Sequence, residues 1–252
     1  MAGKHLITAD YMDEKFRPFK HLYSFPRTKD IKVWARWRKN IKKALRRILA
    51  INEFGPVPTP KLNVIRTDDR GLYVCHEIRY ETMPGNLVRA FLLIPKKGTL
   101  KKPAVICPHG HVKGGAEGTV NPGFAMGVAY AHEIARQGLV ALAPDNAGNG
   151  ARDVPEGFST RGCDIVWRRL NHIGLDLTGF RVLELITAVN ILRAHGEVCP
   201  TKIGAAGLSG GCWLAQVLTA LDDRIRAVVL SGYFCMLNPL ILLCHQTASV
   251  LE

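Results

Sequence analysis

The stretch AAGLSGGCWLAQVL, Ala205–Leu218, decides the reading of this chain. A short apolar strand pattern, Thr201–Ala206, enters the turn Gly207-Leu208-Ser209-Gly210-Gly211, and a helical pattern, Cys212–Leu221, leaves it. A serine framed by small residues between a strand and a helix is held on a sharp, strained turn that exposes its hydroxyl for attack. The plainer alternative is a glycine-rich turn in which Ser209 is an ordinary helix N-cap. A strand on one side and a helix on the other favour the nucleophile.

Working outward, apolar strands alternate with amphipathic helical patterns from Pro103 onward: PAVICP, then GVAYAHEIARQ; LVALAP, then a polar loop and GFRVLELITAVNILRAH; TKIGAAG, then the elbow helix and IRAVVLSGYF. Strands separated by helices of ten or more residues predict right-handed crossovers and a mostly parallel sheet in a three-layer α/β domain. Ahead of this, YVCHEIRYE and VRAFLLIP flank the turn signal Met83-Pro84-Gly85-Asn86 and read as an antiparallel pair. Six strands are expected, near 73–80, 88–94, 103–107, 139–143, 202–206 and 226–232. The segment Val154–Leu177 has no clean period and is expected over the carboxyl edge of the sheet, where ligands bind in such folds.

The first 50 residues hold +10 of the net charge of +13. In IKVWARWRKNIKKALRRILA, Trp34, Trp37, Ile41, Leu45 and Ile48 recur at helical spacing, so the Lys and Arg residues read as the solvated face of a helix rather than a nucleic-acid surface. The proline-rich loop FGPVPTPK then sets off a basic helical extension, 1–60, from a core, 61–235, and a divergent tail, 236–252. The N-terminal residues lack the apolar core of a signal peptide, and no apolar run reaches the roughly 18 residues of a membrane span. Seven cysteines without a CxxC pair fit reduced, buried side chains rather than disulfides or a zinc site. A cytoplasmic protein without metal, cofactor, membrane or nucleic-acid partner is expected.

A second motif, Cys107-Pro108-His109-Gly110-His111, follows the third expected strand. With the elbow, the long helix before it and Asp145-Asn146-Ala147-Gly148-Asn149-Gly150 after the fourth strand, it resembles the α/β-hydrolase superfamily, in the branch of acetyl xylan esterases and dienelactone-hydrolase-like esterases, from about Val33 to Phe234. The resemblance implies a cofactor-free serine hydrolase of small carboxylic esters that works through an acyl-enzyme, with Ser209 as nucleophile. It implies an oxyanion hole from the backbone N–H groups of Gly210 and His111, lined by His109, Gly110, Asp145 and His172. Asp145 is read mainly as a structural hydrogen-bonding residue of its loop, with contact to substrate as the alternative. Dienelactone hydrolases proper use a cysteine nucleophile, so Ser209 points to an esterase.

In that superfamily the acid and the histidine follow the nucleophile along the chain. Here 43 residues follow Ser209, and CMLNPLILLCHQTASVLE departs abruptly in composition. The expectation is a hydrolase core without its last strands, truncated or frame-shifted, lacking the usual acid and histidine. His111, His172 and His245 are the candidate substitute bases, while His5, His21, His76, His132 and His195 read as surface or packing residues. Two other classes remain open: an inactive homologue acting as a binding or dimerising module, and a serine peptidase of prolyl-oligopeptidase type. An open sheet edge would also leave room for a homo-oligomer.

Overall fold

The computed structural model describes residues 11, 14–15, 23–98, 100–112, 114–124, 128–155 and 160–233. The tail 236–252 with His245, and His5 and His21, lie outside them. The chain divides into two compact units, Met1–Ile41 with Phe234–Glu252, and Lys42–Tyr233.

In the described part of the first unit, the Trp37 indole N–H donates to the Tyr23 carbonyl at 3.0 Å, and the Phe25 and Trp37 rings meet edge-on at 5.1 Å. Helix α1, Ile31–Ile48, opens where the Asp30 carboxylate accepts the Lys32 N–H at 2.8 Å. Its apolar stripe is only partly covered. Ala44 is buried and Leu45 packs on the main core, whereas Ile48 stays exposed.

The second unit is built on a seven-stranded sheet: β1, Asn63–Asp69; β2, Tyr73–Met83; β3, Asn86–Pro95; β4, Lys102–Ile106; β5, Val140–Pro144; β6, Val198–Leu208; and β7, Ile225–Ser231. Their order is β1-β2-β3-β5-β4-β6-β7. Pairing is antiparallel from β1 to β5 and parallel from β5 through β4 and β6 to β7. This is one strand more than the six expected. The addition, β1, is an edge strand in which every residue but Asp68 is exposed, so it carries no apolar alternation to read.

Helices cover both faces: α2, Glu117–Val120; α3, Tyr130–Arg136; α4, Gly162–His172; α5, Leu177–Ala194; and α6, Gly210–Leu221. Successive strand side chains point to opposite faces. In β3, Val88, Ala90 and Leu92 therefore join the core beneath α5 and α6, while Phe91 and Leu93 join the one beneath α3. Leu49 and Ile51, ahead of the proline loop, already belong to the first of these cores. Helix α5 is buried around most of its circumference and starts where Asp176 accepts the Gly179 N–H at 2.8 Å. A Cβ at Gly179 would collide with the Leu49 carbonyl, so glycine is what lets the two backbones meet.

Within this apolar helix Glu184 is 3% exposed. Arg152 holds both its oxygens at 2.7 Å, and the Asn86 amide adds a bond of 2.8 Å. A buried carboxylate is tolerated only when paired and hydrogen-bonded in this way. Helix α4 forms inside the segment that lacks a period in the sequence. It buries Gly162 and Cys163 fully and packs Val166 and Leu170 in part against Ala147 and Leu177, while Trp167 stays exposed, so its apolar stripe is narrow.

Candidate active site

Parallel strands end at one edge, and there β6 breaks into α6 through Ser209. This serine has φ 55° and ψ −124°, one of two non-glycine residues with positive φ among those described. Such a backbone is strained and is held by its surroundings. Its N–H donates to the Ser231 carbonyl of β7 at 2.9 Å, which anchors the turn to the neighbouring strand. The hydroxyl makes no capping bond and the residue is exposed, so Ser209 is not an ordinary N-cap. The small neighbours are required by space. A Cβ on Gly207 would strike the Gly211 carbonyl, and one on Gly211 would strike the Pro108 carbonyl.

Pro108 belongs to the loop after β4, the strand beside β6. A Cβ on Gly110 of that loop would lie 2.8 Å from the Leu208 carbonyl oxygen and 3.2 Å from the Gly210 nitrogen, so the two turns are in backbone contact. Among the described residues the N–H groups of Gly210 and His111 have no acceptor. The Gly110 carbonyl accepts from the Val112 N–H at 3.0 Å and from the His109 ring at 2.7 Å. Those bonds fix the plane of the Gly110–His111 peptide, and in a trans peptide the His111 N–H points the opposite way.

His109 is 1% exposed and lines no open space. Its Nε2 accepts the Asn146 N–H at 2.9 Å, which assigns the proton to Nδ1, the donor to Gly110. Burial pushes its pKa down to about 4, so the ring is neutral. The Asn146 amide closes the clasp on the His109 carbonyl at 2.7 Å. Asp145 is likewise internal rather than at the site's surface. Its carboxylate takes Arg89 Nε at 2.7 Å, the Ala116 N–H at 2.7 Å and the Ala151 N–H at 3.2 Å. It ties together the loops that follow β4 and β5.

His111 presents its imidazole to the elbow. A Cβ on Gly210 would lie 3.6 Å from His111 Nδ1. Partial burial, and then the Arg181 and Arg161 guanidinium groups, lower its pKa from the ordinary value. His172 is the exposed last residue of α4, and among the described residues no hydrogen bond or ion pair ties it to Ser209. Among the described residues no three His, Cys, Asp or Glu side chains converge to hold a metal ion, and no helix is long and apolar enough to cross a membrane.

Residues 2–242 match the Abhydrolase family. The chain belongs to that family. Over 144 residues, 56% of the chain, it is 26% identical to YtaP of Bacillus subtilis (strain 168), a protein named as a hydrolase, and spans about half of that protein's length, 46%. A protein of Bacteroides fragilis NCTC 9343 described as an acetyl xylan esterase superposes with a TM-score of 0.79 at 22% identity, over 94% of this chain and 63% of the other. Acetyl xylan esterase 1 of Thermoanaerobacterium sp. JW/SL YS485 superposes with a TM-score of 0.52 at 19% identity, over 87% and 63%. The fold is thus that of the α/β-hydrolases.

Two features of this Abhydrolase chain escaped the sequence reading. The Tyr130 hydroxyl donates to the Pro108 carbonyl at 2.6 Å and so holds the loop that carries Gly110 and His111. Trp213, four residues after Ser209, stands 37% exposed beside Tyr233, with ring centroids 6.0 Å apart. The sequence signal for the second was a large aromatic residue placed one helical turn beyond the nucleophile.

Proposed function

We propose that this chain carries the nucleophile and oxyanion hole of a serine esterase that cleaves small carboxylic esters, acetyl esters foremost. The supporting observation is the junction of the strained, uncapped Ser209 with two backbone N–H groups, Gly210 and His111, that lack acceptors among the described residues. Ser209 Oγ attacks the ester carbonyl as its proton passes to a base, giving a tetrahedral oxyanion that the two N–H groups stabilise. Collapse of that intermediate forms the acyl-enzyme and expels the alcohol, which takes the proton. Water then adds to the acyl carbonyl, releases the acid and restores the serine. Membership of the Abhydrolase family and the likeness in fold to acetyl xylan esterases support the choice of ester.

A second reading is a non-catalytic homologue, favoured by one observation: no histidine among the described residues hydrogen-bonds Ser209. Labelling with a fluorophosphonate probe decides between them. An esterase takes the label, loses it in Ser209→Ala and hydrolyses p-nitrophenyl acetate. A folded protein that takes no label supports the second reading. We place the protein in a reducing compartment, the cytoplasm, since the five described cysteines are all free thiols.

A further inference from the structure

Helix α6 buries Leu214, Val217, Leu218 and Leu221, yet Trp213 in its first turn is left 37% exposed. Helical side chains lean back over the turn that precedes them. The Trp213 indole therefore covers the turn that starts at Ser209, whose carbonyl accepts the Trp213 backbone N–H at 3.2 Å. Two contacts hold the indole. Its Nε1–H points to Thr178 Oγ1 at 3.4 Å, at the start of α5, and the Tyr233 ring stands against it at an interplanar angle of 59°. Tyr233 itself follows Gly232, where a Cβ would lie 3.6 Å from the Ser209 nitrogen. An aromatic pair thus stands next to the elbow, Trp213 on the helix that leaves Ser209 and Tyr233 just past the end of β7.

We infer that Trp213 is the floor of a subsite beside Ser209 that takes the pyranose ring of a sugar ester, on the alcohol side of the scissile bond. This inference rests on the esterase reading. An indole face carries the negative side of its quadrupole. A pyranose offers it a face of C–H bonds and keeps its hydroxyls at the rim, where they remain in water. An alkyl chain calls instead for an enclosed apolar pocket. Two cavities of the unit, about 740 Å³ between Phe54 and Met83 and about 550 Å³ between Arg46 and Arg224, are not lined by the elbow. The partly exposed Trp213 indole suits a flat ring that is wetted at its edges.

The test compares kcat/KM for an acetylated methyl β-xylopyranoside with that for ethyl acetate. In Trp213→Leu the ratio falls by at least about tenfold, through the KM of the sugar ester; Trp213→Phe keeps most of it. An unchanged ratio in Trp213→Leu overturns the subsite and leaves the esterase reading intact. A second readout needs no turnover: titration of Ser209→Ala with xylotriose, followed by calorimetry. Binding that disappears on adding Trp213→Leu supports the subsite even in a protein that hydrolyses nothing, and binding that survives the change, or no binding at all, overturns it.

Discussion

A methyl group on Gly110 would stand 3.2 Å from the Cβ of Ser209 and 2.8 Å from the Leu208 carbonyl oxygen. The loop after β4 and the turn after β6 are thus held at the closest separation that glycine permits. Gly110→Ala forces them apart, and overpacking of this kind costs about 1–3 kcal/mol. The expected result is a protein with a modestly lower melting temperature and a much larger loss of fluorophosphonate labelling. Labelling at the original rate would show that the two turns need not touch.

His111 separates a backbone role from a side-chain one. His111→Pro deletes the N–H assigned to the oxyanion, whereas His111→Ala keeps it. Loss of one such donor costs about 10²–10³ in kcat. Hydrolysis of p-nitrophenyl acetate is expected to fall by that factor in the proline variant and by less than about tenfold in the alanine variant. Equal losses in both would make the imidazole the working group.

The legibility of the chain was uneven for physical reasons. The elbow and the His109–His111 loop could be paired from sequence because both follow strands, β6 and β4, that are neighbours in the sheet. His109 was expected to line the site, and Asp145 to act mainly as a hydrogen-bonding residue of its loop with substrate contact as the alternative, because a histidine or an aspartate after a strand reads alike whether it faces substrate or is buried. What buries them is distant in the chain: Asn146 is 37 residues from His109, and Arg89 is 56 from Asp145. Strand β1 stayed invisible for a different reason, since an exposed edge imposes no apolar alternation.

Acid should loosen the site through His109. Its folded pKa is about 4 against an ordinary 6.5, so above pH 6.5 the ring is neutral folded or unfolded and its contribution is constant. Between pH 6.5 and 4 the unfolded ring takes a proton that the folded ring refuses, and stability falls as pH falls, by roughly 3 kcal/mol in all. His111, His132 and His195 are lowered as well and add in the same direction. Urea unfolding at pH 7.5 and 5.0 measures the slope, which is expected to be shallower in His109→Gln.

Tyr80 is buried, and among the described residues its hydroxyl has no hydrogen-bond partner. Tyr80→Phe removes the stranded group and keeps the ring. The variant is expected to be between neutral and about 1 kcal/mol more stable, read from the urea midpoint. A destabilised Tyr80→Phe would mean that the hydroxyl is satisfied in solution.

Among the described residues β7 pairs with β6 alone, and its Val229 is 65% exposed. An unpaired apolar edge is a template for another strand. Concentration-dependent association is therefore expected in light scattering, and Val229→Lys should suppress it. A chain that stays monomeric at all concentrations, with or without the lysine, would mean the edge is protected.

The strand order has a consequence for how the protein is made. The sheet grows outward in chain order on one side, β4 receiving β6 and β6 receiving β7. A nascent chain that ends before Val198 can therefore hold the loop after β4 with no serine turn to face it, and Ser209 gains its anchor at Ser231 only when β7 docks. The anchored geometry of the Ser209 turn is thus set only after β7 has been made. Reactivity of Ser209 on ribosome-bound fragments would then time the completion of the sheet, one strand at a time.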